Sequence, residues 1–556
     1  MPAPENLQAI ISKVQKTRFS CAPLTLASLV ILYAFVAFNI TFWGKGFEIF
    51  GTNFVQLAVF TGAVFLLTLA FFAMFNLPYL MKPFLAFTLV LGAVTSYYMD
   101  KLGVVIDRDM IQNVATTTVT ESKHLLTGAF VLHVLVFGVL PAALMLVFVR
   151  LKPQKIWVAV VSPVLVPVLC IALAAGLLMS HYKTYASVLR ERKDYMSSFQ
   201  PGAPIVAAIR YAKMMASSFD VVVAPLGLDA RKGPVYDLTH KPRLTIIVAG
   251  ETARAQNFSL NGYDVPTNPE LAKRDIVNFT DVSSCGTATA TSLPCMFSKY
   301  TRDQYSFKKG VSTESLLDVL HHAGFNVQWW DNNTGDKAVA ARLPVTSLTH
   351  SDNAEFCSAG ECDDGIFLEK LKGFLPTVTE DTVLVLHQIG SHGPTYYLRY
   401  PQRFEKFTPA CRTAEFKNCT PQEITNAYDN TIAYTDHVLS QTIDLLDQQS
   451  SLVTSLIYVS DHGESLGEGG LYLHGSPYFM APDQQTKVPM ILWLSDVFKQ
   501  EMGFSGDCLR GKSDATLSHD NLFHSVLGMM RVETEAYQPK LDIFAGCDSP
   551  QMVAEK

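Results

Sequence analysis

SLIYVSDHG (Ser455–Gly463) is a run of strand-forming residues that ends in an acid–histidine pair. LTIIVAGET (Leu244–Thr252) has the same form, a short apolar strand running into a carboxylate. Around these two lie FNVQWWDN (325–332), DTVLVLHQIG (381–390) and VPMILWLS (488–495), with the helix-like runs ESLLDVLHHAG (314–324) and ITNAYDNTIAYTDHVLSQTIDLLDQQ (424–449) between strands. Near-continuous apolar strands separated by helices predict an α/β domain with a mostly parallel central sheet covered on both faces. Ligands of such sheets bind beyond the carboxyl ends of the strands. Glu251, His387 and the pair Asp461–His462 each fall where a predicted strand runs out.

The rest of the 556-residue chain is unlike this part. Its first 180 residues are dominated by Leu, Val, Ala and Phe, and five stretches, 22–43, 54–76, 83–99, 126–149 and 156–180, are candidates to cross a bilayer core of about 30 Å. The predicted organisation is therefore an all-α membrane domain of five transmembrane helices over 1–180, connecting and interfacial helices over 181–235, and a catalytic domain over 236–556. Lys13, Lys16 and Arg18 precede the first stretch, but its length and the lack of a small-residue cleavage pattern predict a retained anchor. A net charge of −6 with no basic cluster excludes a nucleic-acid binder.

Basic residues around the spans orient the chain only weakly. Cysteine is more decisive. Eight of the ten cysteines follow the last span, and six form close sequence pairs, Cys285/Cys295, Cys357/Cys362 and Cys411/Cys419, with Cys508 and Cys547 as candidates for a fourth. Close pairs in loop-rich sequence point to disulfides and an oxidising compartment. An odd number of spans with the N-terminus in the cytoplasm then places the large domain outside, in the periplasm of a Gram-negative cell.

SCGTATATSLPCMFS (Ser284–Ser298) sets hydroxyl side chains between two of these cysteines. A threonine needs a metal or a base to become a nucleophile. Glu251, Asp461 and His462, two carboxylates and an imidazole, suit Zn²⁺, and a catalytic zinc keeps one position for the reacting group. Spacing alone does not choose among Thr287, Thr289 and Thr291.

Four motifs in order, VAGETARAQNFSLNGY (248–263), SCGTATATSLPCMFS (284–298), HQIGSHGPTYYLRYP (387–401) and SDHGESLGEGGLYLHG (460–475), closely resemble the phosphoethanolamine transferases that modify lipid A, a group that includes the mobile colistin-resistance enzymes. The resemblance spans essentially the whole chain. It implies an alkaline-phosphatase-like (sulfatase-like) domain with one tightly held zinc and room for a second, weaker one. It makes Thr289 the nucleophile and a zinc ligand together with Glu251, Asp461 and His462. In WWDNNTGDK (Trp329–Lys337) it assigns Asn333, Thr334 and Lys337 to the donor head group; the family usually has Ser where Thr334 stands. His392 and His474 resemble the family histidines beside the metal, while His387, Glu464 and Glu468 are read as either catalytic or structural. In IDRDMIQNVATTTVTES (106–122), taken as a long loop between spans three and four, Asn113 and Glu121 resemble positions facing the lipid substrate.

The implied reaction is ping-pong: phosphoethanolamine passes from phosphatidylethanolamine to Thr289 and then to a phosphate of lipid A, in a monomer of the inner membrane. The added ammonium reduces the anionic surface that polymyxin and other cationic peptides bind. Competing readings are transfer to lipopolysaccharide core sugars or another envelope glycan, a sulfatase or phosphoglycerol transferase, a metal-dependent phosphodiesterase, and a non-catalytic membrane sensor or scaffold. The sulfatase reading lacks the arginine of a CxPxR-like context. The scaffold reading conflicts with the intact Glu251/Thr289/Asp461/His462 set.

Overall fold

A computed structural model describes residues 18–77, 79–218, 221–237, 241–349, 351–358 and 361–549. The chain divides into two compact units: residues through Arg108 with Leu126–Arg210, and Asp109–Leu125 with the chain from Tyr211 onward.

The first unit is helical, with α1 (Pro23–Ala37), α2 (Ile40–Phe50), α3 (Phe54–Ala73) and α4 (Met81–Leu102) before the excursion into the second unit. That excursion carries α5 (Arg108–Thr116) and α6 (Val119–Leu125), which replace the loop expected there. The chain then returns as α7 (Gly128–Phe148) and α8 (Ile156–Ser180). Among the described residues α3, α7 and α8 are long and apolar enough to cross a membrane, and α1 with α2, bent by 75°, make a fourth if the pair is one span. Five such spans are not found among the described residues, and polar side chains mark both departures.

At the bend, buried Asn39 exchanges bonds of 2.8 Å with the backbone of Gln200, donating from Nδ2 to its carbonyl and accepting its N–H at Oδ1. In apolar surroundings such an amide must be paired, and the helix breaks where the pair forms. Helix α4 has the length, at 22 residues, but its last turns carry Thr95, Ser96, Asp100 and Lys101. The Thr95 hydroxyl donates to Gln200 Oε1 at 2.7 Å, and Asp100 accepts from the Thr41 hydroxyl at 2.6 Å. Aromatic rings fill the interior beside this polar cluster, with Phe42 stacked on Tyr195 at 4.6 Å between centroids.

The second unit is built on an eight-stranded sheet. Its strands are β1 (Arg243–Gly250), β2 (Ile276–Ser283), β3 (Asn326–Asp331), β4 (Val345–Ser347), β5 (Thr382–His387), β6 (Val453–Ser460), β7 (Lys487–Leu494) and β8 (Thr516–Ser518), in the order β8-β2-β7-β6-β1-β5-β3-β4. Every residue of β1, β5 and β6 is buried, as strands covered on both faces require.

The sheet is mixed, a correction to the mostly parallel sheet expected. Strand β7 runs antiparallel to both β6 and β2. The cause lies in the connection: residues 461–486 hold no crossover helix to carry the chain back to the other end of the sheet, so β7 starts where β6 ends and runs back. Strand β2, absent from the sequence reading, alternates between buried and part-exposed residues along most of its length. The long helix α9 (Pro421–Asp447) begins before its expected start because Thr420 and Glu423 form a capping box around Pro421. The three close cysteine pairs, Cys285–Cys295, Cys357–Cys362 and Cys411–Cys419, and the fourth pair, Cys508–Cys547, are bridged.

Candidate active site

Register decides which strand ends meet. Gly250 pairs with Ser460 across β1 and β6, so the next residues, Glu251 and Asp461, leave the sheet side by side. His387, last in β5, pairs with Ala249 on one side and with Asp331, last in β3, on the other. Ligand oxygens or nitrogens of Glu251, Asp461 and His462 lie within 4.8 Å of one another, all three residues buried, and could hold a metal ion.

The hydroxyl of Thr289 reaches this cluster. Thr289 is the first residue of a short helix, Thr289–Met296, whose start the Cys285–Cys295 bridge ties down. Its Oγ1 lies 3.1 Å from each carboxylate oxygen of Glu251 and 3.4 Å from Nε2 of His462. Nδ1 of His462 donates to the Gly463 carbonyl at 2.9 Å, a tautomer that turns the Nε2 lone pair toward Glu251 and Thr289. Among the other candidate hydroxyls, Thr287 donates to the Ser476 carbonyl at 2.6 Å instead.

A second layer holds these groups. Asn333 donates from Nδ2 to Glu251 Oε2 at 2.7 Å and to the Gln388 carbonyl at 2.8 Å. Thr252, in the left-handed region at φ 59°, donates its hydroxyl to Glu251 and its N–H to Asp461 Oδ1. That conformation costs a β-branched residue about 1–3 kcal/mol, and the two bonds to predicted ligands say what it serves. Gly390, at φ 49°, lies so close to Glu251 that a Cβ there would sit 2.5 Å from the Glu251 carbonyl. His387 bonds Asp331 through Nδ1 at 2.7 Å and stands 4.0 Å from Glu251 Oε2. His474 Nδ1 bonds Glu464 at 2.8 Å, Glu464 accepts from the Tyr396 hydroxyl at 2.7 Å, and the His474 ring stands 4.5 Å from that of His462 and 5.2 Å from that of His392.

The electrostatics are those of crowded buried carboxyls. Burial and the neighbouring Glu251 charge raise the Asp461 pKa. For Glu251 burial also acts upward, but His462, His392, the Thr252 hydroxyl and His387 outweigh it and hold the group below its usual range. Burial pushes Glu464 up to about 8. Asp461 Oδ2 is buried and accepts no hydrogen bond. Two adjacent carboxylates of this kind are satisfied together by a cation.

Not every expected residue joins the cluster. Asn333, Thr334 and His392 line a cavity of about 240 Å³ with Thr118, Glu361 and Arg399. Lys337 donates from Nζ to the Thr334 carbonyl at 2.8 Å and the Thr116 carbonyl at 3.2 Å. The described hydrogen bonds at Asn113 run to its carbonyl, from the hydroxyls of Thr116 and Thr117, and the Glu121 side chain lies outside the described residues. Glu468 pairs with Arg254 at 2.6 Å. Sequence reading missed His519, which accepts the Cys285 N–H at Nδ1 (3.0 Å) and donates from Nε2 to the Ser460 carbonyl (2.9 Å), pinning the Thr289 loop to the end of β6. It stands 234 residues from Cys285, and no local pattern marks it.

Comparison with known proteins bears on this geometry. Residues 64–216 match the family model described as phosphoethanolamine transferase EptA/EptB, and residues 243–532 match the sulfatase model. The chain is 42% identical over 488 residues, 86% of its length and 87% of the relative's, to phosphoethanolamine transferase EptA of Escherichia coli strain K12. It belongs to the EptA family of phosphoethanolamine transferases. Phosphatidylethanolamine transferase Mcr-1 of Escherichia coli is 34% identical over 545 residues, covering 93% of this chain and 96% of that one. The solved lipooligosaccharide phosphoethanolamine transferase A (EptA) of Neisseria meningitidis, an integral membrane protein, superposes with a TM-score of 0.90 at 37% identity, covering 95% of this chain and 99% of that chain. This EptA-family chain thus combines a helical membrane unit with an alkaline-phosphatase-like unit whose strand ends gather the candidate metal site.

Proposed function

We propose that this chain transfers phosphoethanolamine from phosphatidylethanolamine to a phosphate of lipid A, through a covalent intermediate on Thr289, as an inner-membrane enzyme whose catalytic unit faces the periplasm. The observation that carries this reading is the placement of the Thr289 hydroxyl against Glu251 and His462. The EptA and Mcr relatives support the transferred group, and two lipid substrates account for a membrane unit on an enzyme of alkaline-phosphatase fold.

Two carboxylates, one imidazole nitrogen and a threonine oxygen fit zinc, and the buried Asp461 Oδ2, which accepts no hydrogen bond among the described residues and lies 3.3 Å from His462 Nε2, is an acceptor such an ion satisfies. Glu251, Asp461, His462 and Thr289 would hold it. Bound there, zinc supplies the Lewis acidity that makes the threonine hydroxyl acidic and offsets charge on phosphoryl oxygens.

Asn333, Thr334 and Lys337 bind the donor phosphoethanolamine, with Asn113 and Glu121 toward the lipid. Thr289 Oγ passes its proton to the His392/His474 pair and bonds to phosphorus as the bond from phosphorus to the diacylglycerol oxygen breaks. The leaving oxygen takes a proton from the His392/His474 pair, where Glu464 fixes His474 through Nδ1. A phosphate hydroxyl oxygen of lipid A then attacks the same phosphorus and gives its proton to the pair, the Thr289 Oγ–phosphorus bond breaks, and the pair returns that proton to Thr289.

Mass spectrometry of lipid A from cells expressing the chain tests the assignment. Added phosphoethanolamine that disappears with Thr289→Ala is expected. Unmodified lipid A alongside another modified envelope glycan would refute the acceptor.

A further inference from the structure

The helix that presents Thr289 contains a proline, Pro294. In an α-helix each carbonyl accepts the N–H four residues on, so the Ala290 carbonyl, next to the nucleophile, would be served by residue 294. Proline has no N–H to give. That carbonyl is buried, as Ala290 is 2% exposed, and a buried acceptor without a partner is costly.

The donor comes from 178 residues earlier. Gln112 on α5, itself buried, donates from Nε2 to the Ala290 carbonyl at 3.3 Å. The same excursion touches the other site loops of the second unit. Met110 packs on Gly475, beside His474, so closely that a Cβ on Gly475 would lie 2.5 Å from Met110 Cε. The Thr116 carbonyl accepts from Lys337, and His124 pairs with Glu361 at 3.2 Å in the wall of the 240 Å³ cavity.

We propose that Gln112 is a positioning residue for the transfer, which fixes Thr289 by supplying the hydrogen bond that Pro294 withholds from the Ala290 carbonyl. It touches no reacting atom. Without it the peptide after Ala290 turns to find another donor, and Thr289, one residue away, leaves its place between Glu251 and His462. The inference rests on the function proposed above, and deepens it by adding a segment between two membrane helices to the machinery of the catalytic unit.

The test uses full-length, metal-loaded chain in detergent with phosphatidylethanolamine as donor. Gln112→Met keeps length and volume but has no N–H, and is expected to lower kcat roughly tenfold, the weight of one unpaired buried acceptor. KM for the donor and zinc content should stay as in the wild type. Adding Pro294→Ala, which returns an N–H to the helix, should recover kcat to within about twofold of Pro294→Ala alone. Wild-type kcat in Gln112→Met, or a loss that Pro294→Ala does not recover, overturns the proposal. Should Pro294→Ala be inactive by itself, Gln112→Lys, which retains a donor, must exceed Gln112→Met, and equal rates overturn it. An experimental structure of Gln112→Met reads the same question without substrate: Thr289 Oγ1 displaced from Glu251 supports the role, and an unmoved Thr289 refutes it. A wild-type chain that transfers nothing would sink the proposed function, while that structural readout still decides the role of Gln112.

Discussion

Acidification from pH 7 to 5 protonates His519 in the unfolded chain but not in the folded one. Burial, opposed only in part by the bond to the Ser460 carbonyl, pushes its pKa from 6.5 down to about 4. Between those values the unfolded state binds the extra proton, so stability falls as pH drops through the window from about 6.5 to about 4 and is level beneath it. The whole window is worth about 3 kcal/mol at roughly 1.4 kcal/mol per pKa unit, and about 2 kcal/mol is lost by pH 5. The structural reason is specific: Nδ1 must stay unprotonated to accept the Cys285 N–H while Nε2–H serves Ser460. Denaturant unfolding of the metal-loaded full chain, followed by tryptophan fluorescence at pH 7 and 5, measures the loss. His519→Asn removes the titration, while other groups whose protonation differs between the folded and unfolded chain in this range, Glu464 among them, contribute to both proteins alike. Wild type should therefore lose about 2 kcal/mol more than the variant on acidification. An equal loss in both would refute the reasoning.

Two further outcomes concern the reaction. Thr289→Ala should lower transfer by about three orders of magnitude or more, because the Thr252 hydroxyl, which also reaches Glu251, is fully buried and does not face a substrate. Equilibrium dialysis should find that this variant still binds zinc, more weakly. Asp461→Asn should lower zinc affinity by far more than tenfold and abolish transfer at zinc levels that saturate the wild type, as should chelation of the wild type with recovery on re-addition of zinc. Full activity of chelated protein, checked by elemental analysis, would contradict the metal reading.

Much of the site could be read along the chain because its parts sit at strand ends. An apolar run followed by Glu251, or by Asp461 and His462, carries both the strand and the candidate ligand in one short stretch, and the sheet then needs only in-register pairing to bring them together. Cysteine pairs closing short loops were legible for the same reason. Other features depended on partners distant in sequence. The reversal of β7 followed from a connection without a crossover helix, and the broken first span from an amide pair between Asn39 and Gln200, 161 residues apart.

Local pattern was enough where one stretch of chain holds both the element and the group it presents, as at Glu251, Asp461 and His462. It named three threonines between Cys285 and Cys295 and could not rank them by spacing, since a hydroxyl's role depends on what stands opposite it. Tertiary packing separates two of them, giving the Thr287 hydroxyl to the Ser476 carbonyl and setting Thr289 against Glu251. Packing alone also brought Gln112 and His519 to the same loop, because hydrogen-bond donors and acceptors find partners through space and leave no period in the sequence.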